Sequence, residues 1–513
     1  MKINRRLLPI GYVILGSLFI LLFALSSCKK SHSDIGQTVF KETRNRIFKE
    51  IETDAFVEKF RTAFDKQKSQ YKNPKFLAAF YEENDFEPVL LMRDLPNGKL
   101  RDAVAVLQDA KAHGLSPEAF QSTKLNDLLD KAYDKKDVKT LEEAYQVLID
   151  LELAAANAFT NYSNAMQFGV ISPRKVFAQY YTETKRPDSV SFLSVFKTGD
   201  IKNYLDSIQP NDQQYKTLQK ALKDSVQVPG MSREESERII MVNLERLRWK
   251  NRPTEEKYVW VNVPDFRLDV MEKGKSVLNM KVCVGEGRNQ DFSDKLTEYD
   301  ENDLKKDRPF NRETPQLKSV IHSVQVNPVW NIPESIATNE ITKLAAKDPY
   351  YLSNHGIDVF LNGQKIEDTE TIDWSAEGAG KTYAFKQRPG EINALGKIKF
   401  LFNNQSSVYL HDTPAKAAFN KDMRAVSHGC VRVEQPMELA RALFGEGDKF
   451  DRIKSGMEGE RKVAEDIALS NKVPVYLSYF TCWVDGNGTL QFRKDVYGLD
   501  IVLYTHMQKM VAA

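Results

Sequence analysis

Near residue 230 the spacing of apolar residues changes from every third or fourth position to every second, which commits the chain to a helical part followed by a β-rich part. From Asp34 to about Ser225 the pattern is mostly helical. Its clearest stretch is Leu141 to Phe168, LEEAYQVLIDLELAAANAFTNYSNAMQF, with little β-branched enrichment. Ser232-x-x-Glu235 has the form of a capping box, and Ile239, Ile240, Asn243, Leu244 and Leu247 follow, so a helix leads into the second part and ends near Pro253. Beyond it Tyr258 to Val263 alternates, and Val277 to Val284 follows Glu272-Lys-Gly-Lys275 as a hairpin arm. Strands are also expected over 320–326, 397–402, 408–411, 473–480 and 489–492, the last two flanking the hairpin signal Asp485-Gly-Asn-Gly488. Helices are expected over 436–444 and around 463–469. The expected fold class is α+β, in more than one structural unit, because 513 residues exceed the roughly 100–200 of a single domain.

Two stretches break the β pattern. Residues 286–312 are almost entirely polar, with charges of both signs, and read as a mobile charged loop insertion that proteases would cut first. Residues 334–395 are long enough to form a small subdomain covering a cleft.

The first 27 residues differ from the rest. Lys2, Arg5 and Arg6 precede an uncharged run from Leu7 to Leu25, and Leu25-Ser26-Ser27-Cys28 resembles a bacterial lipobox in which Cys28 becomes the lipid-bearing N-terminus. Nineteen apolar residues can also just span a bilayer as an uncleaved anchor. Either outcome exports the remainder and tethers it to a membrane, on the periplasmic side of the envelope, and no second run of that kind occurs. Without the leader the chain has 70 basic and 71 acidic residues, so nucleic-acid binding driven by net positive charge is not expected.

Cys283, Cys430 and Cys482 remain once Cys28 is set aside, an odd number in an oxidising compartment. Cys283 and Cys482 stand in apolar strand-like contexts and read as buried thiols. Cys430 lies in Ser427-His428-Gly429-Cys430, a small and polar setting suited to an exposed nucleophile. A thiol is mainly protonated at neutral pH and needs a neighbouring imidazole to take its proton. His411, at a strand end in Tyr409-Leu-His-Asp-Thr-Pro414, can serve. Gly429 allows the sharp bend that points amides near Cys430 at a developing oxyanion, and Arg432 offers a two-pronged contact to a substrate carboxylate.

His411 followed 19 residues later by the Cys430 of Ser427-x-Gly429-Cys430-x-Arg432 resembles the signature of the L,D-transpeptidase catalytic family. Asn243-Leu-Glu-Arg-Leu-Arg-Trp249, Val261-Asn-Val-Pro264, Val284-Gly285, Asn327-Pro-x-Trp330-x-x-Pro333, Leu410-His-Asp-Thr-Pro-Ala-Lys416 and Phe492-Arg-x-Asp-x-Tyr-Gly498 resemble the large scaffolded members found in Gram-negative bacteria. The resemblance covers about residues 240–505 and, less distinctly, 80–173. It implies a lipoprotein signal peptide over 1–27, a helical scaffold domain over 28–230 and a β-rich catalytic domain over 231–513, with 334–395 as an inserted capping subdomain.

The implied chemistry is acyl transfer on peptidoglycan stem peptides, with no cofactor or metal. Cys430 would attack the L-centre carbonyl of the third stem residue of a tetrapeptide donor, release D-Ala and form an acyl-enzyme. An amine of another stem would then complete a 3→3 cross-link. His411 would be the base, the main-chain carbonyl of Asp412 would orient its ring, and the Gly429 and Cys430 amides would form the oxyanion hole. Tyr409, Ser427, His428 and Arg432 would line the donor site, with His428 turned away from the thiol. Carbapenem-type β-lactams would acylate Cys430. Water as acceptor would make an L,D-carboxypeptidase, and a lipoprotein lysine an anchoring enzyme. The alternatives from other classes are a non-catalytic wall-binding lipoprotein and an unrelated secreted cysteine hydrolase. Residues 213–226 are too few and lack the glycine-rich pattern for a peptidoglycan-binding module, so wall affinity must lie elsewhere, with the 334–395 cap as the first candidate.

Overall fold

The computed structural model describes residues 34–287, 312–460 and 462–512. The leader, Cys28 and all of the expected 286–312 loop except its ends lie outside the described residues. Among the described residues no helix is long and apolar enough to cross a membrane.

Two compact units are present. One contains the described residues up to Val104 with Thr123–Ala158 and Phe196–Lys202; the other contains Ala105–Ser122, Phe159–Val195 and the described residues from Asn203 onward. The expected boundary near 230 is therefore not where compactness divides the chain. Helix Gln213–Lys223 lies before that boundary, yet its Tyr215, Leu218 and Ala221 share a core with Ile240 and Leu244 and with Phe480 and Cys482. Periodicity marks where local geometry changes, whereas compactness follows which apolar faces bury one another.

In the first unit, helices Thr53–Gln67 and Pro74–Glu83 bring Phe60, Phe64, Tyr81 and Phe86 into a cluster of edge-on and tilted rings. Helix Leu141–Phe168, which belongs to this unit as far as Ala158, covers the whole stretch read as helical from its spacing. Its Glu152, fully buried, accepts hydrogen bonds from the Leu90 and Leu91 amides and the Tyr81 hydroxyl, satisfying the orphan donors at the start of helix Val89–Asp94.

In the second unit the helix Arg233–Arg248 opens on the expected capping box: the Ser232 hydroxyl accepts from the Glu235 amide at 3.1 Å and the Glu235 carboxylate from the Ser232 amide at 2.7 Å. Its buried Glu245 accepts from Arg248 Nη2 at 2.8 Å, Trp249 Nε1 at 3.0 Å and the Ile171 amide at 2.9 Å. Removing one partner of a buried pair strands the other charge, so Glu245→Ala is expected to lower unfolding free energy by about 3–5 kcal/mol. Chemical denaturation with an unchanged m-value checks this; a loss under about 1 kcal/mol, the ordinary surface ion-pair range, would contradict it.

The strands, in chain order, are β1 Lys257–Asn262, β2 Arg267–Glu272, β3 Lys275–Gly285, β4 Leu317–Val326, β5 Trp330–Ile332, β6 Ile357–Leu361, β7 Gln364–Ile366, β8 Ala384–Gln387, β9 Ile398–Phe402, β10 Leu410–His411, β11 Ala425–Ser427, β12 Val431–Val433, β13 Glu465–Ser478, β14 Cys482–Val484 and β15 Leu490–Phe492. Among the described residues nine of them form one sheet in the order β11-β3-β12-β10-β9-β4-β13-β1-β2, and β2 also pairs with β3, closing the sheet on itself with β11 at an edge, paired with β3. The sheet interior is lined by alternating side chains such as Val259, Val261, Leu268, Val270, Ile321, Val324, Ile398 and Phe400, all fully buried.

Two sequence expectations change here. Residues 463–469 are not helical: Ile467 and Leu469 are buried while Asp466 and Ala468 are exposed, a period of two that pairs β13 with β4. The hairpin around Asp485–Gly488 joins β14 to β15, so its first arm is 482–484 rather than 473–480, which belongs to the large sheet. The segment 334–395 does form its own small fold. Strand β5 just before it and β6, β7 and β8 within it make an antiparallel sheet in the order β5-β8-β6-β7, over a separate core of Ile336, Ile341, Leu352, Val359, Trp374 and Phe385.

Candidate active site

Strand register decides which side chains share a face. β10 runs parallel to β12 with Leu410 opposite Val431 and His411 opposite Arg432, and the Val431 amide donates to the Tyr409 carbonyl at 3.1 Å. Leu410 and Val431 point into the core, fully buried, so by alternation Tyr409, His411, Cys430 and Arg432 come to the opposite face. On the other side of β10, Lys399 of β9 is opposite His411 and joins the same face.

Cys430 keeps partial exposure, but its dense surroundings push the thiol up to about 11; the hydrogen bond from the Tyr409 hydroxyl and the charges of Arg432 and Lys399 act against that rise. The Tyr409 ring stands edge-on to the His411 ring, with centroids 5.6 Å apart, so one phenol touches both members of the candidate pair. Among the described residues no hydrogen bond joins the thiol to His411, a loose resting geometry of the kind that tightens when substrate arrives.

His411 is almost fully buried, and burial together with the Arg432 charge holds its imidazolium down to about 4. Its Nδ1 lies 2.5 Å from the Asp412 main-chain oxygen. A carbonyl can only accept, so Nδ1 carries the proton and Nε2 is left as the acceptor. The Asp412 carboxylate does other work: it accepts from the Lys397 amide at 2.9 Å and from Lys416 at 2.5 Å. It lies so close to Gly396, where φ is +61°, that a Cβ there would fall 2.4 Å from Oδ2. Glycine at 396 is what lets β9 begin against this carboxylate.

The turn before Cys430 departs from expectation at two residues. Gly429 has φ +113°, a conformation glycine adopts without strain, as the sequence led one to expect. Its amide, however, donates to Ser427 Oγ at 3.2 Å, while the Cys430 amide is unpartnered among the described residues. Ser427 was expected to line the donor site; instead it is buried, and its hydroxyl donates to the Cys430 carbonyl at 2.5 Å while accepting the Gly429 amide. Both hydrogen bonds hold the bend, and a tight turn satisfies its polar groups internally before any are offered to substrate.

His428 does turn away from the thiol. Its Nε2 is 2.7 Å from Glu340 Oε1, and the same carboxylate oxygen accepts from Arg312 Nη2 at 2.6 Å, while Arg312 Nη1 reaches Glu286 at 2.7 Å. Glu340 belongs to a π-helical turn, Ala337–Ile341, in the inserted subdomain, so this subdomain contacts the residue two positions before Cys430. Arg432 has a buried Nε without a partner among the described residues, an unoccupied donor facing the thiol side of the sheet. Cys283 and Cys482 are buried thiols, as their contexts suggested.

Comparison with known proteins agrees with this geometry. Residues 256–449 match the family described as the L,D-transpeptidase catalytic domain. This region is similar to that family. Residues 75–222 match the family described as the Scaffold domain. A Haemophilus influenzae protein described as "Putative L,D-transpeptidase" is 27% identical over 324 residues, covering 63% of this chain and 60% of that protein. The chain thus spans about three-fifths of the length of this curated relative.

Three residues at the candidate site escaped sequence reasoning as functional groups. Thr314 Oγ1 accepts from the Gly285 amide and donates to the Gly429 carbonyl, both at 2.8 Å, while Tyr497 Oη accepts from the Thr314 amide and donates to the Gly285 carbonyl. Tyr497 falls in a motif that carried the family resemblance, so a signal existed for it, though not of its role. Lys399 had none: it is one of many lysines until β9 is set beside β10.

Proposed function

We propose that this protein is a cysteine L,D-transpeptidase acting on peptidoglycan stems. The observation that carries the reading is the single face shared by Tyr409, His411, Cys430 and Arg432, with the His411 ring fixed by the Asp412 carbonyl. In the first step the thiol proton passes to His411 Nε2 as sulfur bonds to the L-centre carbonyl carbon of the third stem residue. The resulting oxyanion meets the Cys430 amide. The imidazolium returns its proton to the departing amine, the C–N bond breaks, and D-Ala leaves an acyl-enzyme. A side-chain amine of a second stem then attacks the thioester, gives its proton to His411, and forms the 3→3 cross-link as the thiol is regenerated. Arg432, with its free Nε, holds a stem carboxylate.

The test is mass spectrometry of products after the soluble part is incubated with disaccharide-tetrapeptide. A dimer lacking one D-Ala supports cross-linking. Tripeptide alone assigns water as the acceptor, and unchanged substrate from folded protein that also fails to take up a carbapenem rejects the enzyme reading. One carbapenem mass is expected on Cys430 and none on Cys283 or Cys482, because those two thiols are buried whereas Cys430 keeps partial exposure.

The proposal includes export and an acyl chain on Cys28, supported by the lipobox order alone. A fatty-acid analogue is expected to label the wild type in cells and not Cys28→Ser; labelling of the variant rejects the anchor.

A further inference from the structure

Residues 312–314 lie behind the turn that precedes Cys430, and Thr314 is buried there. Its Oγ1 accepts from the Gly285 amide at 2.8 Å, so its single hydroxyl proton is committed to the Gly429 carbonyl, also at 2.8 Å. The backbone of Thr314 is held as well. Its amide donates to Tyr497 Oη at 3.1 Å, and that hydroxyl donates to the Gly285 carbonyl at 2.9 Å. Tyr497 is fixed in turn, since its amide donates to Tyr479 Oη at 2.8 Å and Tyr479 donates to Asp495 at 2.5 Å. The close approach of this segment to the end of β3 depends on Gly285, where a Cβ would lie 2.7 Å from the Thr314 nitrogen and overlap the Arg312 carbonyl.

One peptide plane links Thr314 to Cys430. The Gly429 carbonyl and the Cys430 amide belong to the same planar trans peptide, in which C=O and N–H point in opposite directions. Gly429 stands at φ +113°, where its missing Cβ leaves the neighbouring torsions with little steric control. Crowding does not set the plane either, because the nearest atom to a Cβ built there is the Glu313 carbonyl oxygen at an ordinary 3.5 Å. The Ser427 hydroxyl holds the Gly429 amide, which belongs to the preceding plane. Among the described residues the grip on the 429–430 peptide is therefore the Thr314 hydroxyl at its carbonyl end, while the Cys430 N–H at its other end is unpartnered.

We infer that Thr314 is a positioning residue for acyl transfer: by holding the Gly429 carbonyl it aims the Cys430 N–H at the oxyanion. The inference rests on the acyl-transfer reading for what that N–H meets. Drawing the carbonyl toward Thr314 turns the N–H of the same plane away from it and leaves the donor free for a substrate oxygen. A hydrogen bond at the carbonyl also polarises the amide, which strengthens its N–H as a donor in low-dielectric surroundings. Tyr497 acts one step further back, fixing Thr314 and Gly285 together. A donor set before the reaction needs no reorganisation as charge develops on oxygen, so its effect belongs to the transition state and falls on kcat rather than KM.

The test compares wild type with Thr314→Val, which keeps the shape and removes the hydroxyl, Thr314→Ser, which returns it, and Tyr497→Phe, all as the full chain in detergent with folding checked by thermal melt. For disaccharide-tetrapeptide, Thr314→Val is expected to lower kcat by about 10- to 100-fold, short of the loss on removing an oxyanion donor outright, with KM nearly unchanged. Carbapenem acylation should fall by a like factor and keep the shape of its pH profile, because His411 is untouched. Thr314→Ser should recover most of the rate. In the carbapenem acyl-enzyme the thioester carbonyl stretch, read by infrared difference spectroscopy, should move to higher frequency in Thr314→Val as its hydrogen bond weakens. Wild-type kcat with an unmoved carbonyl band, or a loss confined to KM, overturns the proposal. Should Thr314→Val fail to fold, Tyr497→Phe carries the comparison: about a tenfold lower kcat supports the inference and an unchanged kcat overturns it. A crystal structure of unreacted Thr314→Val reads the plane without any chemistry, since a turned 429–430 peptide supports the inference and one in the wild-type orientation overturns it. Wild-type protein that does not acylate, while the plane turns in the variant, would instead fail the acyl-transfer reading.

Discussion

Cys430→Ser is expected to lose carbapenem acylation and stem turnover by on the order of 10⁴-fold or more, down to what binding and oxyanion contacts alone supply. Serine fits the same space, so the loss reports chemistry rather than packing. The oxygen is far more basic than the sulfur, and the surroundings already disfavour ionisation of the group at this position, pushing the native thiol up to about 11. The cations that favour the anion, Arg432 and Lys399, and the Tyr409 hydroxyl are enough to help a thiolate form during attack but leave an alkoxide out of reach. The measurement is adduct formation against time by intact-protein mass spectrometry. Retention of more than about a hundredth of the wild-type rate, by the same reasoning, would move the nucleophile elsewhere.

His411→Ala is expected to slow acylation by about 10²- to 10⁴-fold, the usual worth of a general base, while His428→Ala keeps a substantial part of the rate. The two imidazoles sit near the same turn but are held differently. His411 is locked by the Asp412 carbonyl with Nε2 left to accept a proton, whereas His428 bonds Glu340 in the inserted subdomain. Reversal, with His428→Ala inert and His411→Ala active, would exchange their roles. The pH profile gives an independent reading. Burial and the Arg432 charge lower the folded His411 value to about 4, so the base is neutral and competent from there upward. Acylation should accordingly hold level as pH falls through the ordinary imidazole range near 6.5 and drop only near 4. Arg432→Gln removes the cation and should move that acid limb upward, whatever it does to the height of the plateau. A wild-type limb at about 6.5, unmoved by the substitution, would mean that His411 is not the group being titrated.

The large elements were legible because local chemistry specifies them. The helical spacing of Leu141–Phe168, the Ser232–Glu235 capping box, the alternation in β1 and the glycine needed at 429 each depend on a few neighbouring residues. The misread elements are those where local pattern is ambiguous: Glu465–Leu469 is short enough to fit either period until β4 lies beside it. Cys430, His411 and Arg432 could be nominated because their residue types and order form a rare combination. Which amide of the turn stays free could not, since that depends on Ser427 Oγ capturing the Gly429 N–H across the turn.

What the sequence by itself determined is therefore the division into helical and β-rich parts, the candidate nucleophile and base, and the glycine that lets the turn bend. Tertiary structure alone decided that helices before residue 230 build a core with the β-rich part, that Lys399 and Tyr409 flank the thiol, and that Glu340 reaches His428 from 88 positions away. The physical reason is the same in each case. Periodicity and turn chemistry act over a few residues, but burial and strand register pair groups far apart in the chain, and no local pattern records which distant surface will cover another.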